Sequence, residues 1–174
     1  MFHDESNLIL RATNPLDGAR IFDCVRQCPP LEPNTAYAYV LLATHFAQSS
    51  AVAEDNEGLA GYTVGYRLPE DVETLFIWQI GVLPRARGTG LARKLLQHVI
   101  ERNSQEPVRY LEATVAPSNT ASQRLFRGFA KSAGVPCEER PYFAADHFGG
   151  TQHEPEALFR VGPLPAPSQK QGEQ

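Results

Sequence analysis

Apolar positions along the chain switch repeatedly between a period of two and a period of three to four, which predicts strands alternating with helices. Leu8 to Ala12 is a short first strand. Asn14-Pro15 then supplies an N-cap and a first-turn proline, so a helix is expected to start near Pro15. Its stripe is Ile21, Cys24, Val25 and Cys28, and Pro29-Pro30 ends it. After the loop Leu31 to Thr35, a second helix is expected over Ala36 to Phe46. Ser50 to Glu54 and Leu59 to Tyr66 read as an antiparallel pair of strands joined by the polar turn Asp55-Asn56-Glu57-Gly58.

Leu75 to Val82 is almost unbroken apolar, with Gln79 its one polar interruption, and is expected to be a central strand covered on both faces. Ala92, Leu95, Leu96 and Val99 form one stripe of a helix running to about Asn103. Val108 to Ala116 is the next strand, and a helix starting at Pro117-Ser118 has Ala121, Leu125, Phe126 and Phe129 as its core face. Gly134 breaks that helix, Pro136 begins a strand, and Ala157 to Val161 is the last one. The order implies a mixed α/β sheet, and the front hairpin excludes a purely parallel one. Residues 1–164 are expected to form one domain. The polar, proline-rich end, 165–174, is expected to be a disordered tail.

A length of 174 residues suits a single domain. The net charge of −4, with no long basic face, argues against a nucleic-acid partner. No apolar run approaches the ~20 residues that span a bilayer, and Met1 to Ile9 carries acids where a secretory signal would be basic. The expectation is therefore a cytoplasmic protein with no membrane partner. Cys24, Cys28 and Cys137 have neither disulfide-framework nor zinc spacing, and the first two read as buried thiols on one helix face. Asp146, His147 and His153 crowd one loop, yet no metal is expected there.

The most specific local feature is Arg85-Ala86-Arg87-Gly88-Thr89-Gly90, between the apolar strand and the helix that follows. A glycine turn opening a helix aims unpaired N–H groups and the positive end of the helix dipole at one point, which suits a phosphate or pyrophosphate. A dinucleotide fingerprint would need a small residue where Arg93 stands, and a Walker A loop would need Gly-Lys-Ser/Thr.

What the hexamer resembles, at every required position, is the Arg/Gln-x-x-Gly-x-Gly/Ala signature of the GNAT acetyltransferases. The resemblance implies a mixed, mostly antiparallel sheet of six or seven strands flanked by helices. Its two central strands splay apart to admit the pantetheine arm of acetyl-CoA. It further implies a coenzyme site made of the Ile80 and Val82 backbone, of Arg85, Arg87, Gly88, Thr89, Gly90, Leu91 and Ala92, and of Asn119 and Phe126. Asn119 also suits a plain helix cap. Many GNAT enzymes protonate the departing thiolate with a tyrosine, and here that position is Phe126, so the acid is unassigned.

A narrower resemblance spans most of the chain. Leu31 to Tyr37, Thr74 to Gln79, Leu111 to Asn119 and His153 to Glu156 look like the diaminobutyrate acetyltransferases of ectoine biosynthesis. That family implies acetyl transfer to the γ-amine of L-2,4-diaminobutyrate by direct attack in a ternary complex, and a homodimer. Glu32, Asn34, Tyr37, Trp78, Gln79 and Thr114 would line the amino-acid pocket, with Glu32 standing where aspartate is usual.

Glu112 and His153 are the candidate catalytic residues. An unpaired carboxylate inside an apolar strand is costly, so Glu112 either serves the site or pairs with an arginine. His153 either accepts a proton or is merely an exposed loop histidine. Two alternatives stay open: a GNAT enzyme for another small diamine or amino acid, and a non-catalytic acetyl-CoA sensor.

Overall fold

The structure, a computed structural model, describes residues 8–103, 106–149 and 152–165. Seven strands form one sheet: β1 (Ile9–Ala12), β2 (Ala51–Asp55), β3 (Gly58–Leu68), β4 (Asp71–Val82), β5 (Tyr110–Val115), β6 (Cys137–Phe143) and β7 (Glu156–Val161). Their order is β1-β2-β3-β4-β5-β7-β6, and only β4 and β5 pair in parallel. Four helices flank it: α1 (Asp17–Val25), α2 (Ala36–His45), α3 (Leu91–Arg102) and α4 (Thr120–Ala133). The tail expected from 165 onward lies, after its first residue, outside the described residues.

Two cores result, one on each face of the sheet. The first is built on Leu75, Ile77, Leu111, Ala113 and Phe159, and receives the predicted stripes of α3 and α4 except Ala121, which is exposed. The second packs Ile21, Cys24, Val25 and Tyr39 from the α1 and α2 side on Val52, Tyr62 and Val64. β4 starts four residues earlier than its apolar run, because Asp71 and Thr74 close a tight hairpin with β3 at the outer end of the sheet. β6 forms a strand although none of its residues is buried, since as an edge strand it is held by its ladder to β7.

Two irregularities in β4 shape the site. It pairs with β5 only at Thr74 with Tyr110, Leu75 with Leu111 and Phe76 with Glu112. Past those three pairs the strands diverge and open a wedge, as the family resemblance implied.

At the same level the register of β4 against β3 shifts, with Val64 opposite Gln79 but Gly65 opposite Ile77, so Trp78 is an extra residue in the ladder. Alternation is broken there. Ile77 and Ile80 both enter the first core, while Trp78 and Gln79 both turn toward Tyr39 on the other face.

Candidate active site

The wedge holds two adjoining cavities of about 500 and 490 Å³. Ile80, Asn119 and Ser122 belong to the walls of both, as do Pro30 and Leu31.

The first chamber lies against the glycine turn and the start of α3. Gly88 and Gly90 have φ of 79° and 78°, the left-handed region that glycine enters without strain. The helix ladder of α3 begins with Lys94 N–H donating to Gly90 C=O, so the N–H groups of Leu91, Ala92 and Arg93 lack intrahelical acceptors. Arg87, Arg93 and Arg124 complete a wall without a single carboxylate. Backbone donors, a helix N-terminus and three guanidiniums suit a pyrophosphate.

Behind this wall sits Cys28, its Sγ 3.4 Å from Val82 O, which also accepts from Arg87 Nε at 3.2 Å. The neighbouring Cys24 thiol, and after it Arg87, draw the Cys28 thiol below its ordinary range against the opposing effect of burial. Val82 O thus faces the wedge and not β3, and period-two alternation aims the N–H and C=O of Ile80 the same way. Ile80 and Val82 both border this chamber.

The second chamber has the opposite character. Glu32, Glu154 and Glu156 line it, and no lysine or arginine does. Asn34, Trp78, Gln79, Thr114, Ser118 and His153 share the wall, and Phe126, itself 1% exposed, packs at its base against Phe159. The His153 ring stacks on Phe148 with centroids 3.8 Å apart and an interplanar angle of 21°.

Its Nδ1 is 2.7 Å from Glu154 O, an acceptor, which places the proton of the neutral ring on Nδ1 and leaves the Nε2 lone pair free. Glu156 lies 4.0 Å from Nε2. Glu154 is in turn held by the Ser118 hydroxyl. Asn119 caps α4 by accepting from Ser122 N at 3.1 Å, and it does so at the junction of the two chambers.

Four expected site residues stand elsewhere. Arg85 turns away from the anion chamber because Asp55 binds its guanidinium and Leu59 O accepts from it at 3.1 Å. The Thr89 hydroxyl is taken by Ala86 O at 2.8 Å, and Thr89 borders neither chamber. Tyr37 is 69% exposed on α2 and borders neither chamber, while Tyr39, two positions later on the same helix, is buried and reaches the site through Gln79 and Asn34.

Glu112 is buried but pairs with Arg160 from β7, its neighbour in the ladder, and is absent from both cavity walls. A carboxylate already occupied by a guanidinium is poorly placed to take a substrate proton. Gln79 borders the amine chamber, but its Oε1 is occupied by Tyr39 and Tyr62 and its Nε2 by Glu32 O.

Sequence reasoning passed over Glu154, Glu156, Ser118, Arg93 and Arg124 as site residues. The two glutamates follow His153 within a stretch already singled out, and their spacing of two was the available signal. Among the described residues, no group of three or more His, Cys, Asp or Glu could hold a metal ion.

Known proteins share this arrangement. Residues 19–129 match the model of the Acetyltransferase (GNAT) family. The L-2,4-diaminobutyric acid acetyltransferase of Halomonas elongata is 46% identical over 163 residues, covering 93% of this chain and 84% of its own. The protein of the same name from Bordetella parapertussis is 44% identical over 159 residues, covering 91% and 86%.

Among solved structures, diaminobutyrate acetyltransferase EctA from Paenibacillus lautus, in complex with L-2,4-diaminobutyric acid and coenzyme A, superposes with a TM-score of 0.85 at 34% identity. That match covers 91% of this chain and 96% of the other. Arabidopsis thaliana NAA60 with acetyl-CoA shares the fold at 18% identity, with a TM-score of 0.68 over 90% of this chain and 99% of its own. Identity at this level, sustained across nearly the whole chain and joined to a wedge with one cationic and one acidic chamber, places the chain in the family of L-2,4-diaminobutyric acid acetyltransferases, within the GNAT superfamily.

Proposed function

We propose that this chain transfers the acetyl group of acetyl-CoA to the γ-amine of L-2,4-diaminobutyrate. The products are N4-acetyl-L-2,4-diaminobutyrate and free CoA, the acetylation step of ectoine synthesis. The observation that carries this reading is the division of charge. An arginine-walled chamber free of carboxylates meets a glutamate-walled chamber free of lysine and arginine along the unpaired edge of β4. An anionic carrier and a small diamine would approach each other there.

Acetyl-CoA supplies the activated thioester, and the residues of the chain do the rest. Arg87, Arg93 and the first turn of α3 hold the diphosphate, while backbone groups of Ile80 and Val82 align the arm in the wedge. Glu32, Glu154 and Glu156 gather and orient the two ammonium groups. An ammonium with a pKa of roughly 10 must lose a proton before it attacks, and His153 Nε2 offers a free lone pair in the acidic chamber to take it.

The C–N bond then forms as the C–S bond breaks, and the Ile80 N–H stabilises the charge developing on the carbonyl oxygen. The electron pair leaves on sulfur. Phe126 has no proton to offer, so the second proton, shed by the nitrogen as the amide forms, reaches the departing thiolate through water.

We further place the protein in the cytoplasm as a homodimer with no nucleic-acid or membrane partner. No helix among the described residues is long and apolar enough to cross a membrane. Phe143, Phe148 and Trp78, each at least 36% exposed, border the amine chamber and leave aromatic surface for a second copy. NMR and mass analysis of the product from acetyl-CoA and diaminobutyrate tests the reaction. Acetylation of the γ-nitrogen with stoichiometric thiol release is expected. Acetylation of the α-nitrogen, or no thiol release with any diamine, overturns it.

A further inference from the structure

Glu32, Pro33 and Asn34 form the rim of the amine chamber, on the loop between α1 and α2, and all three are exposed. Exposed loop backbone is mobile unless something ties it. Here both ends of the tripeptide are tied to the interior. Gln79 Nε2 donates to Glu32 O at 3.1 Å, and Asn34 N–H donates to the Tyr39 hydroxyl, also at 3.1 Å. The two ties share one hub, since Gln79 Oε1 accepts from Tyr39 at 3.0 Å and from Tyr62 at 2.7 Å.

The network runs in one direction only. Each tyrosine hydroxyl has a single proton, and both point at the same oxygen, so the Gln79 amide must present its NH₂ to the loop. Tyr39 gives its proton to Gln79 and keeps a lone pair for Asn34 N–H. Burial raises the pKa of both hydroxyls above the usual phenol value, so they remain donors.

The hub is also rigid from below. Tyr39 and Tyr62 are fully buried, and the backbone at Gly81 lies so near the Tyr62 ring that a Cβ would sit 2.6 Å from it. Gln79 reaches this face as the ladder partner of Val64, a residue of the same core, and the extra residue Trp78 turns to that face beside it.

We propose that Tyr62, Gln79 and Tyr39 are positioning residues, which fix the height of the Glu32 carboxylate over the amine chamber and thereby set how tightly, and at what length, a diamine is held. Gln79 has at most one N–H left for a ligand, so its main effect on substrate passes through Glu32. This inference rests on the reading of that chamber as the amine site.

A double-mutant cycle tests it. Steady-state kinetics on diaminobutyrate, ornithine and diaminopropionate would be measured for the wild type, Gln79→Leu, Glu32→Gln and the double variant, with calorimetry of CoA binding alongside. Gln79→Leu is expected to raise KM for diaminobutyrate about tenfold and narrow its lead over ornithine. KM for acetyl-CoA and CoA affinity should stay unchanged. In the Glu32→Gln background the same substitution should change KM less than about twofold, the signature of two residues acting through one contact.

Tyr62→Phe removes one hydroxyl without emptying the core and should move KM in the same direction by less. Equal tenfold effects in both backgrounds, a fall in kcat with KM unchanged, or a folded Tyr62→Phe protein with wild-type KM would each overturn the proposal. A wild type that binds CoA yet acetylates none of the three diamines would instead bring down the functional reading beneath it.

Discussion

On the proposed mechanism His153 takes the substrate proton, since its Nδ1 is committed to Glu154 O and its Nε2 is not. His153→Gln should lower kcat by about a hundredfold, the typical worth of a positioned base, with KM for acetyl-CoA unchanged. Stopped-flow release of thiol measures both. Glu112→Gln should act differently. It leaves Arg160 without its carboxylate, so thermal unfolding should drop by several degrees while kcat falls much less than for His153→Gln.

Cys28 offers a third check. Its thiol is buried on the coenzyme wall, so bound CoA should slow its alkylation by iodoacetamide relative to the free protein. Alkylation confined to Cys137 would refute the placement of Cys28 on the coenzyme wall. At this scale the sequence was legible where a motif fixes a backbone conformation, as at Gly88 and Gly90. It was not legible where a partner distant in the chain decides the role, as Asp55 does for Arg85 and Arg160 for Glu112.

Elements were easier to read than the directions they face. α1, α3 and α4 carry clear apolar stripes and lie where periodicity put them. α2 reads Ala-Tyr-Ala-Tyr-Val-Leu-Leu-Ala-Thr-His, apolar almost all round, so nothing in it distinguished Tyr39 from Tyr37. The extra residue at Trp78 was equally silent, because a bulge is a property of two strands and its partner Gly65 lies a dozen positions earlier.

Gly65 is the reason the bulge can exist, since a Cβ there would stand 2.3 Å from Phe76 O. Gly65→Ala should therefore destabilise the fold by about 2 kcal/mol and raise KM for diaminobutyrate, because Trp78 and Gln79 hang from the same irregularity. Denaturant unfolding and kinetics on one preparation would show both effects or neither.

Over the whole molecule, charge is sorted more finely than a net value of −4 suggests. Away from the wedge, Asp17 is held by Arg11 at 2.7 Å and Arg20 at 3.0 Å, and Glu54 joins the same cluster. Burial opposes ionisation of Asp17, but Arg11, the Asn14 N–H and Arg20 together keep its carboxyl below the ordinary range. A carboxyl with a lowered native pKa contributes its full stability above the unfolded value, about 4, and loses it as pH falls through the native one. The midpoint of thermal unfolding should thus fall steeply below about pH 4. Asp17→Asn should flatten that fall at a cost of about 2 kcal/mol near neutrality, both guanidiniums being partly solvated.

The same architecture carries a consequence for the free protein. Among the described residues, no rung beyond Phe76 and Glu112 joins β4 to β5, so the amides of Ile80 and Val82 have no strand there to answer them. An arm bearing amides of its own, laid in that gap, would serve as a missing strand and stitch the halves together. Hydrogen exchange at those two amides should slow on adding CoA, and the slowing should spread to β5, so that the substrate completes the scaffold on which it reacts.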